Sequence, residues 1–95
     1  MEIAKTIIAQ LGNLTLSMIG ASKLVSTPKG VQFAIKGSKL CNKLVIELDA
    51  ASDTYNIHSW KVTRSNAYPC DQRFGIQVGE LHATIKAMTG LETKL

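Results

Sequence analysis

Two neighbouring stretches of alternating residues constrain this chain more than any other feature. In residues 43–49 every second residue is a leucine or an isoleucine, which is the period of a half-buried β-strand. Residues 55–62 form a second such stretch, and the small and polar residues 50–54 between them are typical of a turn. The pair predicts an antiparallel hairpin whose apolar face must be covered by other elements of the fold.

The second stretch contains a conflict of register. Tyr55 and Ile57 occupy odd positions, whereas Trp60 and Val62 occupy even positions, and a shift of one residue turns a strand over. Either both faces of the sheet are partly covered, or a β-bulge near residues 58–59 resets the register. We favour the bulge, which places Tyr55 and Trp60 together in the core; on an open face they could instead stack on nucleic-acid bases.

Both ends of the chain carry helical patterns. Residues 2–11 and 78–88 have apolar side chains at helical spacing, which predicts two amphipathic helices. Gly12 and Gly90 are suited to end them, since glycine readily adopts the left-handed conformation. On the second helix, the apolar face comprises Val78, Leu81, Ile85 and Met88, and the polar face comprises His82, Lys86 and Thr89.

Further strands are predicted between the helices. Residues 14–19 and 31–36 alternate between apolar and polar side chains and predict two more strands. Residues 63–72 are polar, contain a proline and predict a loop. Residues 23–29 are ambiguous, and residues 73–76 offer a short fifth strand, which leaves the start of the last helix open.

The predicted architecture is a single α+β domain over residues 1–95. Four strands, or five if residues 73–76 are counted, form an antiparallel meander because their connections are short. The N-terminal and C-terminal helices pack on one face of this sheet, and an edge strand offers a route to a homodimer. The other face is expected to stay open and to carry Thr15, Ser17, Gln32, Lys36, Val45 and Glu47.

Composition excludes several classes of protein. With 45% apolar and 19% charged residues, the chain is not of the disordered type. Its apolar runs fall short of the roughly 18 residues that span a membrane, and its first residues lack the pattern of a signal peptide. Cys41 and Cys70 are far apart in sequence, and we expect two free thiols. These features predict a cytoplasmic protein with no membrane partner.

Charge is distributed unevenly along the chain. Residues 3–46 contain lysines but no acid, and the acids Glu47, Asp49 and Asp53 cluster at the central turn, where aspartate is also favoured by its bonds to the local backbone. Clustered cations attract polyanions, so the sequence predicts a nucleic-acid-binding surface. The predicted contact residues are Lys23, Lys29, Lys36, Lys39, Lys43, Lys61, Arg64 and Arg73.

The pattern of reactive residues does not favour catalysis. A nucleophile pair would combine Cys41 or Cys70 with a histidine, but no third group that would position the pair is evident. A metal site would draw on His58, His82, Cys70 and Asp71. Their spacing is not that of structural zinc sites, and a glycine-rich phosphate loop is absent from the sequence. We therefore expect no enzyme activity, no metal and no cofactor.

The two ends of the chain also carry distinctive motifs. Residues 3–12 read IAKTIIAQLG, residues 18–21 read MIGA, and residues 89–95 read TGLETKL. Together they resemble a family of small uncharacterised proteins of phages and prophages, which open with a similar IAKTI run ending in QLG and close with TGLxTxL. The family usually has a second glycine after Gly12, where this chain has Asn13. The resemblance implies a phage or mobile-element context and an α+β domain, but no activity and no functional residue.

Two functions remain open from the sequence. The first is a non-catalytic accessory protein that binds nucleic acid through its basic surface. The second is an accessory factor that binds a host protein, for example an inhibitor of a host enzyme or defence complex. The charge distribution favours the first, and a phage-encoded protein of either kind would act in the host cell cytoplasm.

Overall fold

The computed structural model describes residues 2–91 of the chain. In this part of the chain, helices pack against a β-sheet. The elements in chain order are α1 (Glu2–Leu11), α2 (Asn13–Met18), β1 (Ser22–Thr27), β2 (Gly30–Ala34), β3 (Lys43–Asp49), β4 (Thr54–Val62), β5 (Ala67–Ile76), a 3-10 turn (Val78–Glu80) and α3 (Leu81–Thr89). The five strands of this part of the chain form an antiparallel sheet in the order β1-β2-β3-β4-β5. The predicted α+β meander with a helix near each end is confirmed.

The predicted hairpin forms the middle of the sheet. β3 has the predicted bounds, and β4 begins one residue earlier than predicted. The two strands pair regularly from Lys43 opposite Trp60 to Asp49 opposite Thr54. Because this register is unbroken, successive side chains of both strands alternate strictly between the two faces of the sheet.

One face of the sheet, the inner face, packs against the helices. Apolar side chains of the central strands that are at most 1% exposed are Val31, Phe33, Leu44, Ile46 and Ile57. The helices contribute Ile7, Leu11, Leu81, Ile85 and Met88 to the same core. Tyr55 is 6% exposed and its hydroxyl donates a hydrogen bond to Gln10 Oε1 at 2.6 Å, so its polar tip is satisfied at the edge of the core.

The prediction of a strand over residues 14–19 was wrong, because most of this segment forms α2. The buried side chains here are Thr15 and Ile19, which are four residues apart, the spacing of one helix face. Leu14, which a strand would have placed on the face opposite Thr15, is 51% exposed. Six residues are too few for alternation to distinguish a strand from a short helix. Thr15 and Ser17 therefore do not belong to the open sheet face.

The two edge strands differ from the prediction. β1 occupies the segment that was ambiguous in the sequence, and β5 covers most of the predicted loop at residues 63–72. β5 lies at an edge of the sheet and its residues are largely exposed, so hydrophobic alternation is missing from its sequence. Proline has no N–H to donate to a neighbouring strand. Pro69 is nevertheless tolerated in β5, because an edge strand needs backbone donors on one side only.

The predicted bulge does not place Trp60 in the core. Tyr55 and Ile57 face the helices, whereas Trp60 lies on the opposite face and is only half-buried. The β4–β5 pairing does shift at two points, but there the additional residue belongs to β5, since Ser59 pairs with Asp71 and Trp60 with Pro69. The alternative interpretation, in which both faces of β4 are partly covered, is therefore the correct one.

The last helix begins later than predicted. Val78 lies in the 3-10 turn and is 54% exposed, so it does not join the buried face of Leu81, Ile85 and Met88. Thr89, predicted to be on the polar face, is 2% exposed, and its hydroxyl donates to the Ile85 carbonyl at 2.7 Å. This local bond lets the helix bury a threonine.

The end of α3 follows the prediction. Gly90 terminates the helix in the left-handed conformation, with a φ of 74°. This is the role predicted for a glycine at the C′ position. After this glycine, Leu91 packs against the core. The second leucine of the tail, Leu95, lies outside the described residues.

Candidate nucleic-acid interface

The face of the sheet opposite the helices, here called the open face, presents side chains that are half-buried or exposed. Its central members are Gln32, Ala34, Lys43, Val45, Glu47, Asn56, His58 and Trp60. Gln32, Val45 and Glu47 were predicted on this face, and their placement is confirmed. Lys36 follows the end of β2 rather than lying within the strand.

Two shallow depressions lie on the open face. The first, of about 350 Å³, is lined by Gln32, Lys43, Val45, Glu47, His58 and Trp60. The second, of about 430 Å³, is lined by Lys23, Val25, Gln32, Ala34, Asn42, Lys43 and Val62. Because they share Gln32 and Lys43, they adjoin and form one trough across four strands. A trough of this form suits an extended ligand rather than a small enclosed one.

Lys43 and Trp60 stand directly opposite each other in the trough. They are register partners on β3 and β4, and directly paired residues have Cβ atoms about 5 Å apart. The lysine side chain therefore starts next to that of Trp60, which is partly exposed. A cation next to an aromatic surface can contact a phosphate while the ring stacks on the attached base.

Asn42 holds the end of this strand pair in place. Its backbone N–H donates to the Trp60 carbonyl at 2.9 Å, and its Nδ2 donates to the Val62 carbonyl at 2.8 Å. Its Oδ1 in turn accepts a hydrogen bond from the Val62 N–H at 2.7 Å. The side chain thus continues the ladder beyond β3, and it limits the movement of the backbone that carries Trp60.

A pair of contacting aromatic rings lies next to Trp60 along β4. The rings of His58 and Phe74 meet edge to face, with centroids 5.7 Å apart and an interplanar angle of 81°. His58 Nε2 is also 3.8 Å from Glu47 Oε1. Phe74 is 64% exposed, so the pair extends the aromatic surface of the open face onto β5.

The two ends of the sheet carry opposite charge. The end at which β2 finishes, β3 begins and β4 finishes is here called the basic end. It carries Lys23, Lys36, Lys39, Lys43, Lys61 and Arg64. The opposite end carries Glu47, Asp49, Asp53 and Glu80. Within residues 2–91, the cations of the basic end form no ion pair with a carboxylate, so their charge is available to a polyanion.

Two of the eight predicted contact residues lie apart from the others. Lys29 is in the turn between β1 and β2 at the opposite end, where it borders a depression with Glu47 and Asp49. Arg73 on β5 is paired with Asp71, with Nη2 and Oδ2 3.0 Å apart. The hydrogen bond from Arg73 lowers the pKa of Asp71, and this pairing makes the arginine less available to a phosphate.

The six cations of the basic end do not all share one face. Lys23 and Lys43 line the trough on the open face. Lys61 is an odd-numbered residue of β4, and the odd-numbered residues of this strand point to the inner face. Its register partner is Tyr68. Lys36 and Lys39 lie in the loop after β2, and Arg64 lies in the turn after β4. The open face therefore carries two of them directly, and the others surround its end.

The predicted nucleic-acid contacts did not include Asn42, His58 or Phe74. Phe74 is two residues after Gln72 in a polar stretch, so the two would share a face in a strand. Because His58 pairs with Gln72, recognition of β5 as a strand would have placed both residues on the face of His58. Asn42 gives no local signal, because its role depends on hydrogen bonds to a strand 20 residues away.

The two histidines lie on different sides of the sheet. His58 is on the open face, whereas His82 Nε2 is 2.9 Å from the Leu11 carbonyl on the helical side. Residues 2–91 contain no group of three or more histidine, cysteine or acidic side chains placed to hold a metal ion. In the same part of the chain, no helix has the length and apolar character needed to cross a membrane.

Comparisons with protein-family models, with curated proteins and with solved structures found no match to this chain.

Proposed function

We propose that this protein binds single-stranded nucleic acid in the trough of the open face, without catalysing a reaction. The observation that carries the proposal is the register pairing of Lys43 with Trp60, which places a lysine side chain next to a partly exposed tryptophan. Five further cations surround the same end of the sheet. Stacking on an aromatic ring and contact of a cation with phosphate are the two interactions that single strands offer irrespective of their sequence.

A single strand fits the open face better than a duplex does. The bases of a duplex are stacked on each other, and their edges are reached by a helix or ribbon that enters a groove. The open face of this sheet is shallow and its aromatic side chains lie along the surface. Only unpaired bases can lie flat on such side chains.

The strand is expected to cross the sheet at the basic end. A nucleic acid that ran along β4 from Trp60 toward the acidic end of the sheet would bring a phosphate close to Glu47, which lies beside His58. The two negative charges would repel each other. Across the strands, the nucleic acid would pass from Trp60 and Val62 over Lys43 to Val25 and Lys23, the residues that line the trough. Val25 and Val62 are 51% and 40% exposed, and they provide apolar contact for bases and sugars.

The intrinsic fluorescence of Trp60 tests this proposal directly, because it is the single tryptophan of the chain. Addition of an unlabelled single-stranded oligonucleotide at low salt is expected to quench the emission, since a stacked base contacts the indole. The affinity is expected to fall steeply as salt rises, because released counterions dominate binding to phosphates. A matched duplex should bind more weakly.

Charge reversal at the two ends of the sheet tests whether the position of a lysine matters. The double variant Lys23→Glu, Lys43→Glu places two acids in the trough and should abolish binding. The variant Lys29→Glu changes a lysine at the opposite end and should bind nearly as well as the wild type. Absence of quenching and of binding to any oligonucleotide at low salt would refute the function.

A protein-binding accessory factor is the second candidate, and β5 favours it. Tyr68 and Phe74 on this strand are 52% and 64% exposed, and within residues 2–91 β5 is an edge of the sheet with one side unpaired. An edge strand with exposed aromatic residues can accept a strand of another protein or of a second copy of this chain. The predicted homodimer would use the same edge.

Affinity capture from host lysate distinguishes the two candidates. Three results together would favour the second candidate. A host protein stays bound after nuclease treatment, it is no longer captured by the double variant Tyr68→Ser, Phe74→Ser, and it is still captured by the double variant Lys23→Glu, Lys43→Glu. Capture that disappears with nuclease and with the lysine variant would favour the first. The phage or mobile-element origin and the location in the host cytoplasm stay predictions, which the neighbouring genes would test.

A further inference from the structure

The loop between β2 and β3 brings the two cysteines of the chain close together. Ser38 anchors this loop, since its hydroxyl donates to the Thr89 carbonyl at 2.7 Å and accepts a hydrogen bond from the Cys41 N–H at 3.3 Å. At the far side of the loop, Cys70 Sγ on β5 donates to the Leu40 carbonyl at 3.2 Å. The peptide unit that begins with this carbonyl ends at Cys41.

This contact limits the distance between the cysteines. Standard bond lengths place a carbonyl oxygen about 2.8 Å from the next Cα, so Cys70 Sγ lies within about 6 Å of Cys41 Cα. Because a cysteine sulfur lies about 2.8 Å from its own Cα, the two Cα atoms are within about 9 Å of each other. Disulfides join residues whose Cα atoms are about 4.4–6.8 Å apart. Rotation of the two side chains, with a movement of the loop by up to about 2 Å, would bring the sulfur atoms together.

The two thiols differ in accessibility. Cys41 is 1% exposed, whereas Cys70 is exposed to solvent, and both are free. Burial raises the pKa of the Cys41 thiol, and the nearby Cys70 acts in the same direction. A thiol attacks a disulfide as its thiolate and only where the reagent can reach it, so an external reagent meets Cys70 first.

We propose that Cys70 and Cys41 form a redox pair, in which Cys70 is modified first and Cys41 resolves the adduct. The thiolate of Cys70 attacks a low-molecular-weight disulfide such as oxidised glutathione, which gives a mixed disulfide and releases one glutathione thiol. Cys41 then loses its proton and attacks the sulfur of Cys70, which forms the Cys41–Cys70 bond and releases the second thiol. Two protein thiols are oxidised, and one external disulfide is reduced.

The consequence of this bond is mechanical. It would tie the loop of residues 35–42, which carries Lys36 and Lys39, to the edge strand β5 across the end of β4. The basic end would then be held by a covalent link in addition to the hydrogen bonds of Ser38. The redox pair does not depend on the proposed binding of nucleic acid, and its test uses no nucleic acid.

Mass spectrometry of the intact wild-type protein tests the pair. The folded protein is incubated with oxidised glutathione, quenched with acid, alkylated and digested. The expected product has lost two hydrogens, carries no glutathione and contains a peptide that links Cys41 to Cys70. A wild-type protein that keeps glutathione on Cys70, or that is cross-linked only between chains, would overturn the proposal.

Two variants assign the order of the steps. Cys41→Ser should accumulate the mixed disulfide on Cys70, and Cys70→Ser should stay unmodified while folded. Because Cys41 is buried, circular dichroism must first show that its variant is folded. The wild-type result is decisive even if that variant does not fold, since the internal link is measured on the unaltered chain.

Discussion

The two faces of β4 use the same nine-residue strand for different purposes. Tyr55, Ile57 and Ser59 are buried against the helices, whereas His58 and Trp60 are only half-buried on the open face. Even the buried serine is satisfied, because Ser59 Oγ accepts a hydrogen bond from the Asp71 N–H at 2.9 Å. The inner face is thus occupied by packing, and the open face leaves aromatic and charged groups partly exposed to solvent.

Loss of Phe33 should give the largest effect on stability. Its side chain is 1% exposed on the inner face, and Phe33→Ala is expected to lower the free energy of unfolding by about 3–5 kcal/mol, because a buried cavity replaces the ring. Urea denaturation followed by circular dichroism measures the change. A loss below about 1 kcal/mol would contradict the assignment of this face as the core.

Loss of Trp60 should instead affect binding. Trp60→Ala is expected to weaken single-stranded nucleic-acid binding by about 1–3 kcal/mol, or roughly 5- to 150-fold, since one stacked base loses its aromatic partner. The free energy of unfolding should fall less than in the Phe33 variant, because the indole is only half-buried. Anisotropy of a labelled oligonucleotide measures the affinity.

A distant apolar residue serves as the control for Trp60. Leu14 is 51% exposed on α2, away from the open face, and Leu14→Ala should leave the affinity unchanged. If Leu14→Ala and Trp60→Ala had equal effects on binding, the open face would not be the interface.

Neutralisation of single lysines should separate the two ends of the sheet. Lys43→Gln removes one phosphate contact and should reduce the slope of log affinity against log salt by about 0.7, the value for one contact with a single strand. Lys29→Gln should leave the slope as it is, because Lys29 lies at the opposite end beside acids. Titrations at four or five salt concentrations provide both slopes, and equal slopes in the two variants would remove the distinction between the ends.

The ion pair on β5 should give the smallest effect. Arg73 lowers the pKa of Asp71, so the pair contributes stability above the unfolded pKa of about 3.9 and loses it as pH falls through the folded pKa. Both side chains are well exposed, at 46% and 39%, so Asp71→Asn should cost less than about 1 kcal/mol at pH 7.

Thermal unfolding at several pH values measures this contribution. The difference between the wild type and Asp71→Asn should be present at pH 7 and disappear in strong acid, where the wild-type carboxylate is also neutral. A difference that grew as the pH fell would contradict the sign of the pKa shift.

Local patterns predicted the elements whose two sides have different surroundings. β3, β4 and α1 each bury one side, so their apolar residues recur at the period of the element, and their bounds follow from the sequence to within one residue. β5 had no such signal because both of its sides are largely exposed. The α2 segment was misassigned because a six-residue run fits both periods.

The sequence by itself determined the class of fold, the central hairpin and an excess of cations over a long acid-free stretch. Only the tertiary structure decided that Trp60 faces away from the core, that six of the eight predicted cations meet at one end of the sheet, and that Cys70 contacts the loop of Cys41. The physical reason is range: periodicity is a property of neighbouring residues, whereas these groupings depend on which strands pair and in which register.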